Sequence, residues 1–422
     1  VRGVRKHRGK GYVVIIDFIG NYEGNYNIAT AFSNGSDKED ARKAVATSYI
    51  PGISTIEFDA IAKEKIYKAI QEANFNSMND ARLVYSQLRG KLNRVPSYQD
   101  FMDFGDFDPE RFGSLPTKTY PAFIRKVFPE DDPGFTDREM DIMLALERAV
   151  ISGKRIQEPL LLKTLISGGD LHAFEAIMAS DYRIKLDENG REMLVNMLNG
   201  KALKLTPLID DHCELTADLK SGLENPTFRI WVDDVIAFAI NKHNASFSNR
   251  YRGTDFVLFK QYTRNDVSQI LGWGSLQAAT MFGYKYDRKT NTFPVFVNYI
   301  KDPGINEETK YEDRFLSKTV FSWVSRHGVS LNNPQMKILA NWRQNGVKIY
   351  MFIRKNNLDK GKSRADHYFL GEIQPMVETM KDFRKNGKMY TTLCFRLLDE
   401  VRDDIYEYLS NADIKEQPYE ND

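Results

Sequence analysis

Cysteine is scarce in this chain. Only Cys213 and Cys394 occur among 422 residues, far apart and without a CxxC partner. That excludes a disulfide framework and a cysteine-based zinc site, and it fits a reducing cytoplasm. Long apolar runs are also missing, none approaching the roughly 18 residues of a membrane-spanning helix. A starting Met and a signal-peptide pattern are absent from "VRGVRKHRGKGYVVIIDF", which opens mid-element as a piece of a longer protein would.

Catalytic signatures are missing too. There is no GxxxxGK[ST] phosphate loop, so the chain cannot hold ATP as a complete motor, and there is no HExxH or GxSxG. None of the six histidines sits in a His-x-Lys nuclease core. Carboxylates do cluster at Asp17, Asp210–Asp211–His212, Asp233–Asp234 and Glu312–Asp313, but they read as caps and polar loops, and no metal site is expected.

What is present is uneven charge. The net value is +1, yet residues 343–388 carry eleven Lys/Arg against five Asp/Glu, and residues 399–422 carry two against nine. The basic stretch is compatible with phosphate binding or with a solvated face beside an acidic tail.

Hydrophobic patterning divides the chain. "YVVIIDFI" (12–19) reads as a buried strand. From about residue 37 to 243 the pattern is helical, with capping-box signals at Ser77, Ser97 and Thr136. Met140, Met143, Leu144, Leu146 and Val150 recur at helical spacing. After Ser246 the pattern becomes β. "FVLFK" (256–260) reads as a strand, "TRNDVSQILG" as a capped helix ending at Gly272, and residues 283–300 as a hairpin. "VKIYMFIRK", "HYFLGEIQ" and "YTTLCFRLL" add strands, and "DEVRDDIYEYL" a closing amphipathic helix. The expected fold class is α+β, a helical domain followed by a mainly antiparallel, curled or barrel-like sheet.

One stretch combines flat and polar chemistry. "TKYEDRFLSKTVFSWVSRHG" (309–328) holds four aromatics, four Lys/Arg and two adjacent carboxylates. A flipped cytosine needs a stacking face, an acceptor for its N4 amine and an apolar niche, with cations on the flanking phosphates. Tyr311, Phe315, Phe321 and Trp323 could stack or line the niche, with Tyr284, Tyr286 and Tyr299 as alternatives. Asp313 or Glu312 could accept. Lys310, Arg314, Lys318 and Arg326 could hold phosphates, as could Arg354, Lys355, Lys360, Lys362 and Arg364 from the basic stretch. Phe321 and Trp323 alternate as on one strand face, so core packing is the competing reading.

Arg2 and Arg5, three apart before a strand, resemble motif VI of superfamily 2 helicases. "RVPSYQDF", "GYKYD", "FPVFVNYIK", "TKYEDRF", "FSWVSR" and "HYFLGEI" follow in order. Together they resemble the C-terminal region of SauUSI-like type IV, modification-dependent restriction enzymes, which join a phospholipase-D-type nuclease to a superfamily 2 helicase. The resemblance implies a stub of the second RecA-like domain at 1–33, with Arg2 and Arg5 directed at the ATP γ-phosphate in the parent protein. It implies a helical coupler at 34–245, an SRA-like (SET and RING-associated) domain at 246–398, and a C-terminal helix with acidic tail at 399–422. The implied role is recognition of 5-methylcytosine or 5-hydroxymethylcytosine in double-stranded DNA by base flipping. The parent would use ATP and Mg and cleave DNA, while this chain would need no cofactor, touch no membrane and carry no catalysis of its own. Two other readings remain open: a non-specific DNA-binding accessory region of a helicase, or a scaffold that dimerises or binds protein through its helical part.

Overall fold

The computed structural model describes residues 78–410, apart from 106, 200–204, 207, 210–211, 276–277, 300–312 and 355–365. The strand expected at 12–19 and the motif VI arginines lie outside the described residues. The helical layer begins with α1 (Met78–Leu92), α2 (Tyr98–Phe104) and α3 (Tyr120–Val127). It continues through α4 (Asp137–Val150), α5 (Gln157–Ile166), α6 (Leu171–Asp181) and α7 (Glu188–Leu198). A two-stranded β1 (Leu208–Ile209) and β2 (His212–Cys213) precedes α8 (Ala217–Gly222) and α9 (Pro226–Ser246).

Local chemistry starts these helices where expected. Ser97 and Thr136 each close a full capping box, with Asp100 and Glu139. The core is aromatic: Tyr85, Tyr98, Phe101, Phe112, Tyr120, Phe123 and Phe228 are fully buried. Of the α4 stripe, Met143, Leu146 and Val150 enter that core, while Met140 packs against it partly buried. Buried with them is Glu147, whose Oε1 accepts from the Tyr98 hydroxyl at 2.6 Å and the Tyr120 amide at 3.1 Å.

The β layer comprises β3 (Gln261–Tyr262), α10 (Arg264–Ile270), β4 (Thr292–Asn298), β5 (Arg314–Ser317), β6 (Val320–Val324) and α11 (Pro334–Ala340). β7 (Lys348–Arg354), β8 (His367–Lys385), β9 (Lys388–Leu397) and α12 (Asp403–Ser410) follow. The sheet runs β4-β7-β8-β9-β6-β5, with β3 added to β8. Every pairing is antiparallel except β4 with β7. The α+β class with a curled, mainly antiparallel sheet is therefore what the chain forms.

One expectation needs correction. Residues 256–260 are not a strand: Phe259 turns back at φ +66°, and the ladder begins at Gln261. The hairpin expected at 283–300 does form over residues 283–296: backbone hydrogen bonds join Gly283 to Phe296, Lys285 to Pro294 and Asp287 to Thr292 in one antiparallel register, while β4 pairs in parallel with β7.

Curvature comes from β8, which pairs with β3 and β7 at one end and β9 at the other. Its register shifts twice. At the first shift sits Gly371, φ +91°, beside the Tyr251 hydroxyl that donates to Asp399 and accepts from the Glu372 amide. At the second, the Thr379 hydroxyl fills the gap, donating to the Met376 carbonyl and accepting from the Cys394 amide. The curl brings the sheet's ends together, with Tyr299 stacked on Phe315 at 5.7 Å and Tyr284 edge-on to Trp323 at 5.2 Å. A methyl at Gly371 would lie 2.9 Å from the Tyr251 hydroxyl on a backbone that L-residues avoid. Gly371→Ala is expected to lower unfolding free energy by about 3 kcal/mol, read from denaturant midpoints. An unchanged midpoint would remove this bulge as the source of curvature.

Candidate nucleic-acid interface

Beyond the reach of β6, which pairs with β9 only at residues 392–396, β8 and β9 continue as a two-stranded ribbon. Its tip is Asn386-Gly387, both at positive φ (49° and 74°), the conformation and residue pair of a tight hairpin turn. Phe383 and Tyr390 face each other across the ribbon and stack at 5.6 Å, which stiffens it.

The ribbon's charge is largely uncompensated. Lys381, Arg384 and Lys388 are exposed, and none of them forms an ion pair. Lys381 and Lys388 fall on one face by strand alternation and register, and Arg384 on the other. The acid next in sequence to Lys381, Asp382, is engaged by hydrogen bonds, accepting from the Thr391 hydroxyl at 2.8 Å and the Leu331 amide at 2.9 Å. Those bonds hold the 325–331 turn against the ribbon, as do the Ser325 amide on the Thr391 carbonyl and the Gly328 amide on that of Met389. The turn presents Arg326, exposed, with its guanidinium 5.3 Å from the Tyr284 ring centre. Burial raises the Tyr284 pKa, with Arg326 opposing, so the phenol stays neutral. Four cations on a rigid ribbon and its supporting turn form a surface suited to phosphates.

The expected base-pocket residues are arranged differently from a pocket. Trp323 is 3% exposed, edge-on to Tyr284 and packed near Phe395. Phe315 lies between Tyr299, Phe321 and the α12 residue Tyr406. Phe321 is fully buried. Core packing is thus what occupies these rings. Asp313 Oδ1 accepts from the Val324 amide at 2.9 Å, closing the mouth of the β5–β6 hairpin. Lys310, Tyr311 and Glu312 lie outside the described residues.

Among the expected phosphate contacts, Arg326 is exposed and so is Arg314. Lys318 is ion-paired to Asp403 and, at 3.7 Å, to Glu400 of the C-terminal segment. Arg354 is only 8% exposed, with Nε on Asn298 Oδ1 at 2.6 Å, so it faces the interior rather than a duplex. Lys355, Lys360, Lys362 and Arg364 lie outside the described residues. The ribbon cations were missed individually although all fall within the basic 343–388 stretch. Asn386-Gly387 between two alternating runs was the available signal.

Asp233 and Asp234 face apart on α9, the first 3.7 Å from Arg229 and the second accepting the Tyr98 amide. Among the described residues no cluster of three or more His, Cys, Asp or Glu could hold a metal, and no helix is long and apolar enough to cross a membrane.

Residues 82–246 match a family model described as Domain of unknown function (DUF8090), and residues 256–409 one described as Domain of unknown function (DUF3427). No curated protein matches. Among solved structures the chain is similar to the sulfur binding domain and SRA domain of ScoMcrA complexed with phosphorothioated DNA. That likeness is 11% identical and covers 63% of this chain and 90% of that one, with a TM-score of 0.23, a superposition too loose to transfer a fold or a site.

Proposed function

We propose that the β layer binds duplex DNA and reads a modified cytosine, 5-methylcytosine or 5-hydroxymethylcytosine, on behalf of a longer ATP-dependent type IV restriction enzyme. The observation that carries the DNA-binding part is the exposed cationic set Arg326, Lys381, Arg384 and Lys388 on the β8–β9 ribbon and its adjoining turn, none of them in an ion pair. A major groove about 12 Å wide admits a two-stranded ribbon. Phosphate contacts fix register but carry no base information, so a separate reader is required.

The base-reading part rests on the resemblance of the 309–328 stretch. With Trp323 and Phe315 committed to the core and Asp313 to the Val324 amide, Tyr311 remains as the stacking face and Glu312 as the acceptor for the N4 amine. Stacking contributes roughly 1–3 kcal/mol per base, comparable with the cost of unstacking. A duplex with 2-aminopurine beside a single 5-methylcytosine tests this. Fluorescence is expected to rise on adding the full chain, with no rise on the unmodified duplex. Tyr311→Ala should abolish the rise and Tyr311→Phe should keep it. A wild-type response equal on both duplexes would remove base reading while leaving DNA binding in place.

A further inference from the structure

Away from the ribbon, four strands set a polar row at one end of an aromatic core. Asn298 of β4 is in register with Arg354 of β7, and His367 of β8 with Tyr262 of β3. Ile353 opposite Tyr368 places Arg354 beside His367. Over this row lies Arg264 of α10, its guanidinium 5.5 Å from the centre of the Phe296 ring, which His367 meets edge-on at 5.2 Å.

The hydrogen bonding of this row is incomplete. His367 is 2% exposed, and neither Nδ1 nor Nε2 has a partner. Arg264 Nε is buried without an acceptor, and the side chain forms no ion pair. Asp266, two residues on, is taken by Lys154 Nζ at 2.7 Å and by the Thr263 amide at 2.7 Å. An imidazole always carries at least one donor, and a guanidinium carries five, so both groups, each beside the Phe296 ring, are left wanting an acceptor. Burial, with Arg354 and Arg264 nearby, holds the His367 pKa well below its usual value, so the ring is neutral. Burial likewise lowers the Arg264 pKa, and nothing opposes that shift.

We propose that Arg264 and His367 form a site for a terminal phosphate group, separate from the duplex-binding ribbon. A phosphomonoester offers several acceptor oxygens to donors from α10 and β8. The row lies too deep for a duplex backbone, whose phosphates are flanked on both sides, whereas a terminal phosphate presents one free end. Two sources share that chemistry, a free phosphate or nucleotide and the 5′-phosphorylated end of a nucleic acid strand.

The test is thermal melting of the full chain against inorganic phosphate, with chloride matched for ionic strength. The melting temperature should rise saturably with phosphate, since a ligand of the folded state stabilises by mass action. Arg264→Ala should weaken phosphate at least about tenfold, the loss of one charge-assisted contact. Arg264→Lys should recover part of it, and Lys381→Glu with Lys388→Glu should leave it unchanged, which separates this site from the DNA-binding reading. Competition by a 5′-phosphorylated but not a 5′-hydroxyl trinucleotide would assign the site to strand ends, and failure of both to compete would assign it to free phosphate. No phosphate-specific rise in the wild type, or an equal rise in a folded Arg264→Ala variant, would overturn the proposal.

Discussion

Replacing Lys381, Arg384 and Lys388 together with Glu is expected to lower duplex affinity by at least about 500-fold at 0.1 M salt. Each phosphate contact releases condensed counterions, giving a log–log salt slope of about −0.9. Three lost contacts remove about 0.9 decade each between 1 M and 0.1 M salt, and the slope itself should fall by about 2.7. Reversal adds repulsion, so the estimate is a lower bound. The effect should be equal on methylated and unmodified duplexes, because the side chains hold phosphates. Stability should hardly move, since none of the three forms an ion pair in the folded chain. An anisotropy titration in which the triple variant keeps wild-type affinity and slope would place the interface elsewhere.

The second large effect concerns Glu147 in the helical core. Burial raises its pKa to about 8, against the lowering influence of the Tyr98 hydroxyl and the Tyr120 amide. Oε2 has no partner, which suits a protonated carboxyl. In the unfolded chain the group titrates near 4.5. Between those values the folded state holds a proton that the unfolded state has released, so stability is greatest at low pH. It falls as pH rises through about 4.5 to about 8, then levels. The full span is on the order of 5 kcal/mol. Glu147→Gln keeps an acceptor for both donors and cannot ionise. Denaturant midpoints should therefore show the variant gaining on the wild type from pH 5 to pH 8, with a constant difference above that. Glu147→Leu leaves two buried donors unpaired and should be destabilised at every pH, by about 1–3 kcal/mol for each donor. A wild-type-to-Gln difference independent of pH would show that Glu147 is ionised throughout.

Much of the local architecture was legible. The capping boxes at Ser97, Thr136 and Thr263 form as their sequences indicate, because a helix start depends on residues three apart. The passage from helices to strands at Ser246 was readable from the change of hydrophobic period. What escaped depends on distant partners. Nothing near β4 says that it will pair in parallel with β7, some 50 residues on. Arg354 counts as a surface cation until Asn298 is seen beside it in the interior. Asp313 appears as a free carboxylate until the β5–β6 hairpin brings the Val324 amide to it. Phe321 and Trp323 behaved as their alternation allowed, both turned inward. The net charge of the basic stretch was plain, but which cations lack partners follows from the fold.

The central claim, that this chain reads a base modification and not DNA charge alone, is tested most directly by titrating the full chain against two duplexes. They share one sequence and differ only in 5-methylcytosine, at salt high enough to weaken the phosphate contacts. A preferred methylated duplex is expected, with the preference growing as salt rises and the sequence-independent part of the affinity fades. Equal affinity for the two duplexes at every salt concentration would contradict it and leave a non-specific DNA-binding region in its place.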